Sequence, residues 1–487
     1  MKRLLIVMSA AVLAGCSSPP ATTPASQQSA ASTTIPATTK SPEALEHERK
    51  GEAFLDNVRN TEAALEFKQA LTLDPDFALA RANYALTLVG SEAVKEAETA
   101  EAASRNLPEA ERVLIEGIAA SIRGDLPKAR TSIMRVTELV PGDWRGHFIL
   151  GQQLLLEQKY ADAAASLKKA TELNPNAGGA QNMLGYVLLG QRDAEGAIAA
   201  LTEYVRIMPQ EANAQDSLGE ALMAAGRFPE SQAAFQKAID LSPQFWNAHQ
   251  GMAYAKFYAG DWAGGRDALT KAAAIATRPS DKVGIAEEMA IAAAAQKNTA
   301  EALRILDGAE KTEGAQPGDT ASIPVRRAMV LIAAGRARDA LAPLAAALTL
   351  AEGGKAGPVR SGNLRREALR ARIAAEVQLR GVAAAEKTAA VLDQDAAARP
   401  DDPRAQAAMH YGRGQLALAK GDATGAKMHF DECSGGDVWC RDSNVNAAER
   451  VGDKTGVTAA REQLLKVYER DANHLLIRSR LTPARAS

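Results

Sequence analysis

The chain has 487 residues, with 57 Lys and Arg against 59 Asp and Glu and a formal net charge of −2. This balance excludes a protein that binds nucleic acid or an anionic membrane through net positive charge. Hydrophobic residues make up 46% of the chain but aromatic residues only 4%, so its core must consist mainly of Ala, Leu, Ile and Val. Without the alternation typical of strands, this composition predicts an all-α protein of closely packed helices.

The first sixteen residues have the pattern of an export signal. Lys2 and Arg3 precede an apolar run from Leu4 to Ala14, which is too short to span a bilayer. The run closes in the four residues Leu-Ala-Gly-Cys that end at Cys16, and these resemble the lipobox of bacterial lipoproteins at all four positions. The resemblance implies a signal peptide over residues 1–15.

By the same resemblance, Cys16 would be lipidated and become the first residue of the mature chain. Several acyl chains hold a protein to a membrane stably. The next residue is Ser17 rather than Asp, which in Gram-negative members of the family goes with transfer to the outer membrane. The resemblance therefore implies a lipid-anchored protein of the cell envelope, on the periplasmic side of the outer membrane.

Residues 16–41 are predicted to be a disordered tether. From Ser17 to about Lys40 the chain is Ser, Thr, Ala, Pro and Gln, with almost nothing to bury, so it cannot offset the entropy lost on ordering. About two dozen such residues give a reach of roughly 25–30 Å. The tether would leave the folded part free beside the membrane.

A repeat of about 34 residues follows. Small residues recur along the chain at steps of 34, 32, 34, 34 and 34, and they are Gly51, Ala85, Gly117, Gly151, Gly185 and Gly219. A second small-residue series has the same steps and comprises Ala63, Ala97, Ala129, Ala163, Ala197 and Ser231. Prolines follow the same phase at Pro75, Pro141, Pro175, Pro209 and Pro243. Such a period indicates a solenoid of stacked units.

Each unit has the pattern of a helical hairpin. In the unit that ends at Pro175, apolar residues at helical spacing are interrupted by the polar pair Gln158-Lys159 and then resume. Gly151 would let the two helices approach closely, and Pro175 would end the second helix. The pattern resembles the tetratricopeptide repeat (TPR), which implies an α-solenoid of right-handed superhelical form.

The TPR resemblance extends over residues 42–279 as six to seven repeats. It has departures: Tyr204 stands where Ala is expected, and the phase slips by two residues after Pro243. Residues 280–475 still have helical patterns but a decayed period, which predicts irregular helical pairs. A last helix at about residues 457–470 is expected to cap the solenoid, with residues 476–487 as a tail.

Two cysteines remain after Cys16, and their state is left open. In an oxidising envelope a disulfide between Cys433 and Cys440 is the first expectation. Zinc bound by both cysteines and His429 is an alternative, although it is one ligand short of a closed site. A pair of free thiols is the third. No catalytic residue, cofactor or metal is predicted.

The TPR resemblance implies that partners bind on the concave face made by the first helix of each unit. The matching positions combine aromatic, Met, amide and acidic side chains that suit an extended peptide. These candidate groove residues are Phe148, Gln152, Asn182, Tyr186, Asp216, Glu220, Met223 and Met252. Phe148 and Met252 could instead pack between helices. The Lys and Asn clamp that some TPR proteins use for a peptide carboxylate is missing.

These observations predict a membrane-anchored scaffold that binds proteins or peptides of the cell envelope, for example in pilus, secretion or cell-wall machinery. No nucleic-acid partner is expected. Two alternatives remain: an enzyme or metal protein with a site in the C-terminal half, and a structural protein whose repeats assemble into a homo-oligomer.

Overall fold

The computed structural model describes residues 34–56, 59–157, 159–354, 358–433 and 437–481. The predicted signal peptide and the lipidation at Cys16 lie outside these residues, as does most of the predicted tether. Within the described ranges every regular element is a helix, which confirms the all-α prediction. No described helix has both the length and the hydrophobicity that crossing a bilayer requires.

The first fourteen α-helices form seven consecutive hairpins over the predicted repeat region. They are α1 (Pro42–Asp56), α2 (Asn60–Leu73), α3 (Ala78–Leu86), α4 (Gly90–Ala103), α5 (Glu109–Ile122), α6 (Leu126–Leu139), α7 (Trp144–Leu156), α8 (Tyr160–Leu173), α9 (Gly178–Gly190), α10 (Ala194–Ile207), α11 (Ala212–Ala224), α12 (Phe228–Leu241), α13 (Trp246–Ala259) and α14 (Trp262–Ile275). A short 3₁₀ helix, Ser104–Asn106, precedes α5.

The hairpins continue through the C-terminal half. Their helices are α15 (Pro279–Ala295), α16 (Thr299–Ala309), α17 (Ile323–Ala333), α18 (Ala337–Glu352), α19 (Pro358–Gln378), α20 (Val382–Ala398), α21 (Pro403–Lys420), α22 (Ala423–Cys433), α23 (Val438–Val451) and α24 (Lys454–Leu465). A single helix, α25 (Ala472–Leu481), ends the described chain.

A glycine in several of the first helices allows a close approach between the paired helices. A methyl group added at Gly185 would lie 2.5 Å from Leu201 Cγ, and one at Gly219 would lie 2.8 Å from the Phe235 ring. The same pairing, sixteen residues apart, recurs in α21 and α22, where a methyl group at Gly414 would lie 2.4 Å from Phe430. The C-terminal hairpins therefore keep the packing rule of the repeats although their period decays.

The second small-residue series lies where the helices of a hairpin cross. Its five alanines have no exposed surface, and Ser231, also fully buried, donates its hydroxyl proton to the Gly219 carbonyl at 2.7 Å. Tyr204, which departs from the repeat pattern, is accommodated because its ring is fully buried and its hydroxyl accepts a hydrogen bond from Asn213 at 3.4 Å.

Asp caps explain several second-helix starts. The carboxylate of Asp193 accepts the Gly196 N–H at 2.9 Å at the start of α10, and Asp453 accepts the Gly456 N–H at 2.8 Å at the start of α24. An Asp at this position satisfies one of the four amide groups that a helix N-terminus leaves without a partner. The same Asp-x-x-Gly sequence thus begins helices at both ends of the second unit.

The chain divides into two compact units. The first contains residues up to Arg49 and Ala64–Gly146; the second contains Lys50–Ala63 and all residues from His147 onward. The decayed region that follows residue 280 is thus part of the same compact unit as the regular repeats from α8 to α14.

In the first unit, residues 35–40 are fixed, which corrects the predicted extent of the tether. The Ile35 N–H donates to Asp143 at 2.8 Å, and Ile35 is 4% exposed. Thr38 donates to both carboxylate oxygens of Glu111, at 2.8 Å from its amide and 2.6 Å from its hydroxyl. Thr39 donates to Asp74 at 2.5 Å. Sequence composition missed these contacts because their acceptors lie far along the chain.

In the second unit, the end of the chain also differs from the prediction. The last hairpin ends at Leu465, whereas a helix was predicted to continue to about residue 470, and α25 occupies part of the predicted tail. The run Leu475–Ile477 is buried, with exposures of 4% or less. Because the apolar side chains of this run pack in the core, the chain forms a separate helix, α25, after an irregular turn that follows α24. We refer to residues 466–481 as the C-terminal arm.

Candidate functional site

The candidate groove residues lie on the first helices of successive hairpins in the second unit. Phe148 and Gln152 belong to α7, Asn182 and Tyr186 to α9, Asp216, Glu220 and Met223 to α11, and Met252 to α13. We call the groove the surface that α9, α11, α13 and α15 present to the C-terminal arm. The arm contacts it through the side chains described below, and α25 packs against α15.

Three of the candidate residues are apolar and buried. Phe148 is 8% exposed, Met252 8% and Met223 1%. Met223 and Met252 belong to one hydrophobic cluster with Phe235 and with Leu475 of the arm. These methionines therefore form the apolar floor on which the arm packs.

Asp216 and Glu220 hold an arginine of the arm. Arg470 Nη2 donates to Asp216 Oδ1 at 2.8 Å, and Arg470 Nε lies 2.7 Å from Glu220 Oε1. The side chains of Arg470 and Asp216 are 14% and 5% exposed. The Arg470 guanidinium also lies over the Phe235 ring, 5.1 Å from its centroid. The Arg470 guanidinium is thus paired with two carboxylates and packed on the face of an aromatic ring.

Burial dominates the electrostatics of this site. It raises the pKa of Asp216 above its ordinary value, although Arg470 opposes the shift. It likewise raises the pKa of the Tyr186 phenol, with the Glu220 carboxylate adding to the shift. Tyr186 is therefore neutral, and its hydroxyl lies 3.1 Å from Ser217 Oγ. Asn182 is 7% exposed, and its Oδ1 accepts no hydrogen bond among the described residues.

Aromatic contacts fix the arm two residues before the arginine. The Tyr468 ring meets Phe228 edge-on at 4.9 Å between centroids and Tyr258 at 5.3 Å. Tyr258 donates its hydroxyl proton to the Glu469 carbonyl at 2.6 Å. The Arg478 guanidinium covers the other part of this cluster, 4.6 Å from the Tyr468 centroid. Main-chain and ring contacts of this kind hold an extended peptide in a groove.

The helix of the arm, α25, is anchored by contacts of its own. His474, 1% exposed, has its Nε2 2.9 Å from the Leu464 carbonyl oxygen. Burial lowers the pKa of His474 to about 4, so the imidazole is neutral and donates from Nε2. Leu476 packs in a cluster with Ile291 and Val330, from α15 and α17.

A further acid lies on α15. Gln250 donates its two amide protons to Glu288, at 2.8 Å to Oε1 and 2.9 Å to Oε2. Burial raises the pKa of Glu288 to about 7, while the hydrogen bonds from Gln250 and the charge of Arg470 lower it. The groove thus contains acids on α11 and α15 whose negative charge is costly without a cation.

The two cysteines of the C-terminal half are joined. Cys433 and Cys440 form a disulfide with an Sγ–Sγ distance of 2.10 Å. A disulfide leaves no thiolate for the zinc alternative. Within the described residues, no three His, Cys, Asp or Glu side chains are grouped closely enough to hold a metal ion.

The C-terminal half also contains a cavity of about 320 Å³. Arg370, Tyr411 and Asp437 line it, and Arg370 donates to both carboxylate oxygens of Asp437 at 2.7 Å while stacking on Tyr411 at 4.5 Å. These ion pairs and stacking contacts join α19, α21 and the start of α23.

Sequence reasoning identified Asp216, Glu220 and Tyr186 as groove residues but missed their occupant. The sequence pattern predicts that Arg470 and Tyr468 lie at the end of a capping helix. One sequence signal could have indicated that the helix breaks here. Asp471 is followed by an apolar run and then by Arg478 and Arg480, which is the pattern of a separate short helix. That Arg470 meets Asp216, 254 positions away, could not be read from local pattern.

The comparisons with known proteins point to the repeat type. The family model described as Tetratricopeptide repeat matches residues 154–212 and 217–281. No curated protein matches the chain.

Three solved structures illustrate the similarity. MamA from Desulfovibrio magneticus RS-1 is 23% identical with a TM-score of 0.33, over 34% of this chain and 94% of MamA. YrrB, described as a TPR protein with an unusual peptide-binding site, is 18% identical with a TM-score of 0.30, over 43% of this chain and 91% of its own. A tetratricopeptide repeat protein from Parabacteroides merdae ATCC 43184 is 13% identical with a TM-score of 0.36, over 60% of this chain and all of its own. The family model thus shows that residues 154–212 and 217–281 carry tetratricopeptide repeats, in a chain whose described residues are all-helical.

Proposed function

We propose that this protein is a scaffold of the bacterial cell envelope that holds partner proteins along its helical repeats. The observation that supports the proposal most directly is the occupied groove. A non-helical segment of the chain itself lies there, held by acids, aromatic rings and a main-chain hydrogen bond. A surface with this chemistry can hold an extended segment of another protein by the same contacts.

The proposed location is the membrane, through a lipid on Cys16. Its support is the sequence alone: the basic and apolar start of the chain and the lipobox resemblance at residues 13–16. The proposed partners are proteins or peptides of the envelope, and a homo-oligomer is an alternative that the same experiment addresses.

A crosslinking capture from intact envelopes tests the scaffold function. The tagged full chain is compared with the double variant Tyr186→Ala/Glu220→Ala, and with the exposed control Glu138→Ala in the first unit. We expect a discrete set of crosslinked envelope proteins with the wild type and the control, and loss of this set with the double variant. Crosslinks only between copies of the chain would contradict the scaffold proposal and favour self-assembly.

A further inference from the structure

The Arg470 site is shaped for a guanidinium. Its two carboxylates, Asp216 and Glu220, lie one turn apart on α11, and the Phe235 ring lies on a face of the cation. Gly251 of α13 completes the site, since a methyl group there would lie 2.5 Å from Arg470 Nη2 and 2.3 Å from the Phe235 ring. A planar guanidinium can meet two acids and a ring at once, whereas the point charge of a lysine cannot match this geometry.

The acids are unfavourable without such a cation. Like charges at positions i and i+4 of a helix destabilise it, and here the pair is largely buried, with side-chain exposures of 5% for Asp216 and 18% for Glu220. Burial already raises the pKa of Asp216 in the presence of Arg470. The groove therefore selects a cationic occupant.

The arm has the character of a replaceable occupant. Its non-helical part, residues 466–471, links the last hairpin to α25, the last helix of the described residues. In that part, Tyr468 and Arg470 make the side-chain contacts with the groove, and Glu469 contributes its carbonyl oxygen. On α9, one turn before Tyr186, Asn182 Oδ1 is a buried acceptor without a hydrogen bond in the described residues.

We propose that the groove is a recognition site for a non-helical partner segment that carries an aromatic residue and, two residues later, an arginine. The C-terminal arm occupies this site until such a segment displaces it. The proposal rests on the proposed scaffold function and adds the chemistry of the partner. Because the arm is tethered, it competes at a high effective concentration, so a partner must bind tightly or present several contacts.

A peptide-binding experiment with the full chain tests the proposal. The probe is a fluorescein-labelled peptide with the sequence of residues 466–473, Lys-Val-Tyr-Glu-Arg-Asp-Ala-Asn, measured by fluorescence anisotropy. We expect Arg470→Gln to bind this probe at least tenfold more tightly than the wild type, because its own arm no longer competes. The probe with Gln in place of Arg should bind at least tenfold more weakly to the same variant.

Two control variants and one alternative variant complete the experiment. Arg304→Gln, at an exposed arginine paired with Glu301, should bind the probe as the wild type does. Arg470→Gln combined with Asp216→Asn and Glu220→Gln should lose the gain in binding. If Arg470→Gln does not retain the wild-type helical circular dichroism, Tyr468→Ala weakens the hold of the arm on the groove while Arg470 stays available to the acids. The expected gain in probe binding is then at least threefold.

Three outcomes would overturn the proposal. A folded Arg470→Gln variant that binds the probe no better than the wild type would exclude displacement. Equal binding of the Arg and Gln probes would exclude arginine recognition. A wild-type chain that sediments as a dimer and becomes a monomer in Arg470→Gln would assign the groove to the arm of a second copy.

The scaffold function can fail separately. If envelope partners are captured equally by the wild type and by the Asp216→Asn/Glu220→Gln variant, the scaffold function holds through another surface and the groove proposal fails. If the probe binds as expected and no partner is captured, the groove chemistry holds and the scaffold function fails.

Discussion

Arg470 joins the end of the chain to the repeats through a buried ion pair. Removing one member of such a pair leaves the other charge buried and uncompensated. The resulting loss of stability is far larger than the difference in stability between the intact pair and an apolar replacement of both residues. The penalty depends on pH, since an acid can escape it by taking up a proton. Burial raises the pKa of Asp216, so this carboxyl group can take up the proton.

We therefore expect Arg470→Gln to lower the free energy of unfolding by about 3 kcal/mol at pH 8, and by clearly less at pH 5. The sign follows because the folded variant binds a proton at Asp216 that the unfolded chain does not, so its stability falls as the pH rises. Urea unfolding followed by circular dichroism measures both values. The variant Arg470→Gln/Asp216→Asn is the control and should show a weaker pH dependence; an equal loss at both pH values would contradict the argument.

Glu288 gives a second residue-scale prediction. Its pKa in the folded chain is about 7, against an ordinary value of 4.5. Between these values only the folded state holds the proton, so the stability that Glu288 contributes is complete below pH 4.5 and falls by about 1.4 kcal/mol per pH unit up to pH 7. Glu288→Gln should thus gain stability relative to the wild type between pH 4.5 and pH 7.5, by up to about 3 kcal/mol.

Denaturant unfolding of Glu288→Gln and wild type at several pH values measures this difference. Glu138→Gln, at an exposed carboxylate with 62% side-chain exposure, is the matched control and should follow the wild type. A constant difference between Glu288→Gln and wild type across this pH range would show that Glu288 titrates near its ordinary pKa.

At the scale of the helix, the hairpins depend on a small residue that meets a large one sixteen positions later. Gly185→Ala places a methyl group 2.5 Å from Leu201 Cγ, so the helices must separate. We expect a loss of about 1–3 kcal/mol in unfolding free energy, as for other overpacked cores. Gly284→Ala in α15 is the matched control, because no atom lies within 4 Å of the added methyl group.

The control should be neutral or more stable by up to about 1 kcal/mol, since alanine is the better helix former. Thermal melting of both variants checks the pair. Equal destabilisation by the two substitutions would mean that the close approach of α9 and α10 contributes nothing beyond helix propensity.

The pairing of a small residue with a large one sixteen positions later also explains how far the fold could be predicted from sequence. Gly51 to Gly219 and their partners have a fixed period, so the repeats from α1 to α14 could be recognised directly. Gly414 and Phe430 keep the local spacing within one hairpin, but the lengths of α15, α19 and α21 vary, and the 34-residue period disappears there. Local pairing survives a change in helix length, whereas a period along the chain does not.

At the scale of the whole molecule, Tyr186, Asp216 and Glu220 were predictable as groove residues because the TPR resemblance assigns their positions in the first helices to the binding face. Their partner was not, since Arg470 reaches them by a fold that depends on the entire C-terminal half. For the same reason, Ile35 and Thr38 read as part of a polar segment until their acceptors Asp143 and Glu111 are known.

Membrane attachment is a prediction for the whole molecule. If Cys16 carries the lipid, Cys16→Ser should move most of the protein from the membrane to the soluble fraction, since loss of the acyl chains removes the anchor. Fractionation of cells followed by immunoblotting measures the distribution. Tyr186→Ala/Glu220→Ala, which leaves Cys16 intact, is the control and should stay with the membrane; retention of Cys16→Ser there would contradict lipid anchoring.

The ion pair between Arg470 and Asp216 spans 254 positions, which orders events during synthesis. Domains fold from the N-terminus as the chain emerges, at about 5–20 residues per second. The helices that form the groove are therefore synthesised roughly 10 to 35 s before the arginine that fills it. If the groove folds before the arm emerges, on the ribosome or on the far side of a membrane, an external segment would meet no internal competitor. Such a segment could then enter a groove that the finished protein keeps closed.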